Sequence, residues 1–437
     1  MRSMPRMFRY LAWLLAGVAA VVAAAWWLAR PAMPDAFYLP SVNRLDKPGV
    51  LLEQEAFVRS VPAGAQAWRM LYTTTRPDGT LAVASAVVVV SSAARTEPRP
   101  VVAWAHGTTG VVPGCAPSLL DDPFANVPAL RQLIDKGWVY VATDYVGLGT
   151  SGSHPYLIGE GEARSVLDSI RALRQMEGIR AGDDVVVWGH SQGGHVALWT
   201  GIAAPTYAPD VNILGVAAIA PATELQSLIR AIHVMPVGRI MSSFALLSYA
   251  AAYSDVKFAA YVSGWKRWLA NDIAGRCLAG RKALFSVAEA LVAGNSIFGI
   301  APTSGLFGER LAANTPKSPL RQPLLIAQGL ADDLVRPDVQ SRFVRDRCAA
   351  GEKLEYRTYA GHDHLSVVAP NSPLTRDLVR WTQDRIDKVP QSAVCNREDV
   401  QQAMPADDAA SPLNRSGLVE KPGAVIPLAG ICEGAVG

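Results

Sequence analysis

Gly189-His190-Ser191-Gln192-Gly193 lies between the β-branched run Val185-Val186-Val187-Trp188 and the helix-forming stretch Gly194-His195-Val196-Ala197-Leu198-Trp199. A strand, a G-x-S-x-G pentapeptide and a helix in that order describe a nucleophile elbow, a sharp turn that lifts a serine hydroxyl clear of a sheet. The requirement is steric. Glycines on both sides let strand and helix approach without a side-chain clash. The same turn aims the amide N–H groups of the helix start at a developing oxyanion. The pentapeptide alone occurs in many chains. Its setting between a buried-type strand and a helix makes Ser191 a candidate nucleophile rather than part of an ordinary glycine turn.

Apolar runs around the elbow repeat the same alternation. Trp68–Thr75 and Leu81–Ser91 are joined by Arg76-Pro77-Asp78-Gly79-Thr80 and predict a hairpin. Val101–Ala105 and Val139–Thr143 are short and wholly apolar, as in the middle of a parallel sheet. Val127–Lys136 and Glu162–Met176 have helical spacing, the second with Val166, Leu167, Ile170 and Leu173 on one face. Gly215–Ala220, Leu324–Gln328 and Leu354–Tyr359 complete the expected strands. An α/β fold with a mostly parallel central sheet follows. Its catalytic domain is expected over residues 67–221 and 317–388. Residues 222–316 break the rhythm with alanine- and leucine-rich helical sequence carrying Phe244, Tyr249, Tyr253, Tyr261, Trp265 and Trp268. That is far too long for one crossover and predicts an inserted helical cap over the carboxyl ends of the strands. Residues 31–66 are expected to be an irregular lead-in. Residues 389–437 are expected to be a surface extension pinned by Cys395 or Cys432, or a disordered tail.

A serine hydroxyl needs a histidine to take its proton and an acid to orient that histidine. In this type of sheet the order along the chain is serine, acid, histidine. Of the seven histidines, only His362 and His364 follow the late strands. His364, last in Tyr359-Ala360-Gly361-His362-Asp363-His364, is chosen as the base, with His362 as the alternative. Asp332, in the Gly329-x-x-Asp332 turn just past a strand, leads as the acid, with Asp333 behind it. The oxyanion needs two preset donors. They are assigned to the backbone N–H of Gln192 and that of Thr108 in His106-Gly107-Thr108-Thr109-Gly110, with Thr109 as the fallback. The glycine-rich Asp144–Gly152 stretch is read as a structural turn without a catalytic role.

The first thirty residues are a targeting segment. Arg2, Arg6 and Arg9 precede an uncharged run from Tyr10 to Ala29. Residues 1–30 serve as a signal peptide cleaved near Ala23-Ala24-Ala25 or as an N-terminal membrane anchor, since the run is long enough to span a bilayer. Either outcome exports the rest of the chain, to a membrane-anchored, periplasmic or extracellular place. The five widely spaced cysteines suit disulfides better than a metal site. A net charge of +3 with no basic stripe gives no support for nucleic-acid binding. No phosphate loop, H-E-x-x-H or paired C-x-x-C is present, so neither metal nor cofactor is expected.

Trp104-Ala105-His106-Gly107-Thr108-Thr109-Gly110, Cys115-Ala116-Pro117-Ser118, Asp144-Tyr145-x-Gly147-Leu148-Gly149, His154-Pro155-Tyr156-Leu157 and Gly189–Gly193 together resemble the secretory lipase family of α/β-hydrolases. The resemblance covers roughly residues 65–385. It implies the α/β-hydrolase fold with a helical cap and an exported serine esterase or lipase acting on hydrophobic small-molecule or lipid esters. It also implies the disulfides Cys115–Cys277 and Cys348–Cys395. The apolar N-terminal segment and Cys432 depart from the usual secreted pattern. Two other functions use the same residues or fold: acyl transfer to an alcohol through the same triad, and a catalytically silent, membrane-tethered binding protein.

Overall fold

Val101–Ala105 is buried on both faces, as a strand in the middle of a layered sheet must be. In the computed structural model, which describes residues 6–40, 46–279, 283–391 and 395–400, it belongs to a mixed sheet. The described strands are β1 (Leu51–Phe57), β2 (Ala65–Thr75), β3 (Leu81–Ser91), β4 (Arg99–Ala105), β5 (Val139–Thr143), β6 (Ala181–His190), β7 (Ile213–Ile219), β8 (Leu324–Gly329), β9 (Leu354–Tyr359) and β10 (Asn396–Val400). Their spatial order is β1-β2-β3-β5-β4-β6-β7-β8-β9-β10. The pairs from β1 to β5 are antiparallel, and every pair from β5 to β10 is parallel. This is the α/β-hydrolase architecture.

The helices are α1 (Arg6–Leu28), α2 (Leu130–Lys136), α3 (Gly159–Leu173), α4 (Gln192–Tyr207), α5 (Leu225–Ile232), α6 (Pro236–Ala252), α7 (Phe258–Tyr261), α8 (Lys266–Ala274), α9 (Ala283–Val292), α10 (Gly305–Ala313), α11 (Pro337–Ala349) and α12 (Pro373–Ile386). On one face of the sheet α3, α4 and α11 bury Val166, Ile170, Val196, Leu198 and Phe343 against Val101, Val187 and Ile326. On the other, α2 and α12 bury Leu133, Leu378 and Trp381 against Val102, Trp188 and Leu325. Each such side chain removed from water contributes about 1.5–3 kcal/mol. A separate core forms where α5, α6, α8 and α10 pack Phe244, Leu246, Ile273 and Phe307 with Val111, Tyr156, Leu157 and Val335, residues of the loops beyond the strands. Of the six aromatics expected in this region, Trp265 and Trp268 instead face outward, at 59% and 64% exposure.

Two expectations change. The lead-in is not irregular throughout: Phe37 and Tyr38 are buried in a short 3-10 turn, and β1 pairs with β2. Leu51-Leu52-Glu53-Gln54-Glu55-Ala56-Phe57 lacks apolar alternation because it is an edge strand whose middle faces water, held by its backbone ladder. The start of the C-terminal extension, in turn, is a strand. Polar β10 pairs in parallel with β9, beside the Cys348–Cys395 disulfide. Cys432 and the rest of the tail lie outside the described residues, as does Arg2. α1 is exposed from Tyr10 to Ala24, and Tyr10–Leu28 is long and apolar enough to cross a membrane. Its end is seated on the fold: the Trp26 indole N–H donates to Asp272 at 3.2 Å, and Arg276 lies over the Trp26 ring.

Candidate active site

Ser191 closes β6 with φ 59° and ψ −118°, a backbone conformation that costs a side-chain-bearing residue about 1–3 kcal/mol. Its N–H donates to the Ile219 carbonyl at 2.9 Å, and its own carbonyl accepts from His195 N–H at 3.1 Å. Both glycines of the pentapeptide are sterically required. A Cβ on Gly189 would lie 1.9 Å from the Gly193 carbonyl oxygen, and one on Gly193 would lie 1.8 Å from that of Ala105.

The turns after β8 and β9 bring Asp332 and His364 to this serine. His364 Nε2 lies 2.9 Å from Ser191 Oγ, and its Nδ1 lies 2.8 Å from Asp332 Oδ2. The carboxylate beside Nδ1 fixes the proton there, leaving an Nε2 lone pair that faces the Ser191 hydroxyl. Asp332 is itself immobilised: Leu334 and Val335 N–H donate to Oδ1 at 2.9 and 2.8 Å, and the Gln328 amide donates to Oδ2 at 3.1 Å. The His364 loop is held from beneath. His190 Nε2–H donates to the His364 carbonyl at 2.8 Å, and burial, followed by the neighbouring His364, brings the His190 pKa down to about 3. Ser191 and His364 are 6% and 9% exposed, so both side chains are screened from bulk water.

The alternatives lie elsewhere. His362 Nδ1 donates to the Ser366 carbonyl at 3.1 Å and its ring packs edge-on to Tyr359. Asp333 is exposed beside the acid turn. Gln192 opens α4, where first-turn amides have no intrahelical partner. Thr108 lies in the loop after β4, with its hydroxyl 2.9 Å from the Tyr156 hydroxyl. The Thr109 carbonyl accepts from Leu278 N–H at 2.7 Å, next to the Cys115–Cys277 bond that ties this loop region to the segment after α8. Asp144 accepts from the hydroxyls of Ser85 and Ser118 and from Ser118 N–H, and burial pushes its carboxyl up to about 6. Among the described residues no group of three or more His, Cys, Asp or Glu could hold a metal ion.

Sequence reasoning missed the polar cluster behind the elbow. Glu162 is wholly buried, receives the Gln192 side-chain amide, and has His154 and His195 beside it. A signal was present: Glu162 lies four residues before Val166, on the apolar stripe of α3, where an acid must have partners.

The sequence pattern of the family described as secretory lipase matches residues 125–393. The chain belongs to this family. A relative from Mycobacterium tuberculosis (strain CDC 1551 / Oshkosh), named probable inactive lipase MT1628, is 25% identical over 388 residues, spanning 82% of this chain and 83% of the relative. Lipase A of Moesziomyces aphidis is 23% identical over 364 residues, 77% of this chain and 78% of its own. In fold, this secretory lipase family member superposes on Candida antarctica lipase A with a TM-score of 0.67 at 18% identity, covering 84% of this chain and 89% of that one. It also superposes on the rice cell wall degrading esterase LipA from Xanthomonas oryzae with a TM-score of 0.62 at 18% identity, covering 79% of this chain and 99% of that one. Membership, the apolar N-terminal helix and the disulfides agree with export.

Proposed function

We propose that this chain is an exported serine hydrolase that cleaves hydrophobic carboxylic esters through an acyl-enzyme. The observation that carries the reading is the continuous hydrogen-bonded line Ser191–His364–Asp332. Ser191 Oγ attacks the ester carbonyl while His364 Nε2 takes its proton, and Asp332 stabilises the imidazolium. The N–H groups of Gln192 and Thr108 hold the oxyanion. His364 then protonates the departing alcohol, and later takes a proton from water so that hydroxide releases the acid. The helices of residues 222–316 act as the cap that selects apolar acyl groups, a reading supported by their shared core with Val111, Tyr156 and Leu157 beside the site. The N-terminal apolar helix carries the chain into or across the membrane.

The test is a p-nitrophenyl ester chain-length series with wild type and Ser191→Ala, beside labelling by a fluorophosphonate. Wild-type hydrolysis and labelling, both lost in the variant, are the expected results. A second reading, a catalytically silent member, is favoured by the relative named as an inactive lipase. A wild-type chain that neither turns over esters nor takes the label would establish it in place of ours.

A further inference from the structure

Glu162 is 0% exposed, yet no lysine or arginine among the described residues pairs with it. Its surroundings specify its protonation. The Gln192 side-chain nitrogen has two N–H donors; one goes to Glu162 Oε1 and the other to His154 Nε2 at 3.1 Å. An amide nitrogen only donates. His154 Nε2 therefore presents a lone pair, and its proton sits on Nδ1, facing the Val146 carbonyl at 3.3 Å. On the other side His195 Nε2–H donates to the Asn314 carbonyl at 2.8 Å, so His195 Nδ1 is also a lone pair. That nitrogen lies 3.9 Å from Glu162 Oε2, too far for a hydrogen bond, and has no other partner. Two imidazole lone pairs beside the carboxyl, with no cation, favour its acid form. Burial acts in the same sense and outweighs the N–H donors of Gln192 and Leu157, holding the Glu162 pKa well above the usual carboxylate range and those of His154 and His195 down at about 3 and 4.

Both candidate oxyanion donors depend on this centre. Gln192 is held directly by its side chain. Thr108 is held by Tyr156, two residues after His154, in the turn that runs into α3. That turn meets the Glu162 carboxyl through Leu157 N–H and is closed by Gly161 N–H donating to the Ile158 carbonyl at 3.1 Å. We infer that Glu162 is a positioning residue for the oxyanion hole: through the Gln192 side chain and the His154–Tyr156 turn it fixes where the two donors stand. It touches no substrate atom. The inference rests on the function proposed above, and it adds a role that the triad does not contain. A buried acid kept only for packing would contribute stability but would not single out the transition state. A group that sets oxyanion geometry acts on kcat, because the donors are worth most when the charge has developed.

The experiment uses the full chain and a short-chain p-nitrophenyl ester. Glu162→Ala and Gln192→Ala should each lower kcat about 10- to 100-fold, with KM within about twofold, since removing one oxyanion donor outright costs about 100- to 1,000-fold. Gln192→Ala keeps its backbone N–H, so its loss isolates the side-chain link. The double variant should be no worse than the poorer single one, as expected for residues acting through one contact. Glu162→Gln reproduces the neutral acid's shape and its acceptor to Gln192, and should keep kcat within about threefold. Wild-type kcat in Gln192→Ala, a loss confined to KM, independent multiplying losses, or a Glu162→Gln variant as poor as Glu162→Ala would each overturn the inference. If Glu162→Ala does not fold, Gln192→Ala and Glu162→Gln decide alone. A wild-type chain that is itself inert would overturn the functional reading and this one together. An active wild type with indifferent variants overturns this one alone.

Discussion

Alanine at Gly193 should abolish the proposed ester hydrolysis by moving the backbone rather than by removing a functional group. The added Cβ would stand 1.8 Å from the Ala105 carbonyl oxygen, 2.5 Å from its carbon and 2.7 Å from the His106 carbonyl oxygen. All three atoms are backbone, at the junction of β4 and the loop that carries Thr108. Restoring even a tight contact of 3.0 Å requires a retreat of more than 1 Å. The alternatives are to push the start of α4 away from β4 or to displace the 105–108 segment, and either one widens the gap between the two proposed oxyanion donors. Donors act within a window of about 2.7–3.1 Å, and a misplacement of about 1 Å costs on the order of 100-fold in rate. Gly201→Ala is the control. Its Cβ would meet the Leu320 side chain at 2.6 Å, on the same helix but far from the loop, and a leucine tip can turn aside. Overpacking there costs about 1–3 kcal/mol of stability and leaves the geometry of the elbow intact. Steady-state kinetics on a soluble ester and urea unfolding of both variants separate the cases. Gly193→Ala should lose kcat about 100-fold or more, whereas Gly201→Ala should lose stability and keep kcat. Similar kcat in Gly193→Ala and wild type, or equal kcat losses in the two variants, would refute the argument.

Asp332→Asn should lower kcat about 1,000- to 10,000-fold through the wrong histidine tautomer, while His362→Gln stays within about threefold; equal losses would displace His364 as the base. Burial sets two sets of groups against each other in acid. His106 and His195 are held at about 4, and His154 and His190 at about 3, against 6.5 in the unfolded chain. The unfolded state thus takes up protons that the fold refuses, and stability present above pH 6.5 is lost as pH falls toward the folded values, about 2 kcal/mol per histidine by pH 5. Asp144 and Asp168, raised to about 6, Glu289, raised to about 8, and Glu162, raised well above the usual range, carry protons in the fold over the same window and oppose that loss. Four carboxyls against four histidines leave the urea midpoint nearly level from pH 6.5 to pH 4.5, and a collapse of the midpoint over that window would contradict this. Replacing Cys115 and Cys277 by serine opens a 162-residue separation, against 47 for Cys348 and Cys395. Chain entropy then predicts losses of about 5 and 4 kcal/mol. A smaller fall in urea midpoint for the first pair than for the second would count against that account.

The parallel sheet was legible because its strands are continuous apolar runs with turn signals at their ends. Leu354–Tyr359 and Val139–Thr143 match the expected bounds residue for residue. β1 and β10 were not legible, since edge strands such as Asn396–Val400 carry polar side chains and owe their conformation to backbone pairing with a neighbour distant in sequence. Chain order narrowed the candidate histidine to two residues. In the structure His364 meets Ser191 and His362 does not, which turns on how the 359–364 loop folds back, and no local pattern encodes that. Glu162 was hidden for another reason. Helical periodicity marked its face through Val166 and Ile170, but its partners Gln192, His154 and His195 come from two other segments. A buried polar cluster of this kind is a tertiary property.

The hydrogen-bonded line from Ser191 to Asp332 also works as a caliper laid across the sheet. Its three members leave the ends of β6, β8 and β9, and β7 lies between the first two. None of the three shares an element with another. Sliding β8 or β9 by a single residue would carry its jaw about 3.3 Å along the strand, more than a hydrogen bond tolerates. On the proposed function, the Leu324↔Leu354 and Val216↔Leu324 registers are therefore written into the reactivity of one hydroxyl. A stoichiometric active-site label would then count correctly registered sheets, and a refolding experiment followed by that label would time the docking of β8 and β9, which spectroscopic signals of helix content leave unseen.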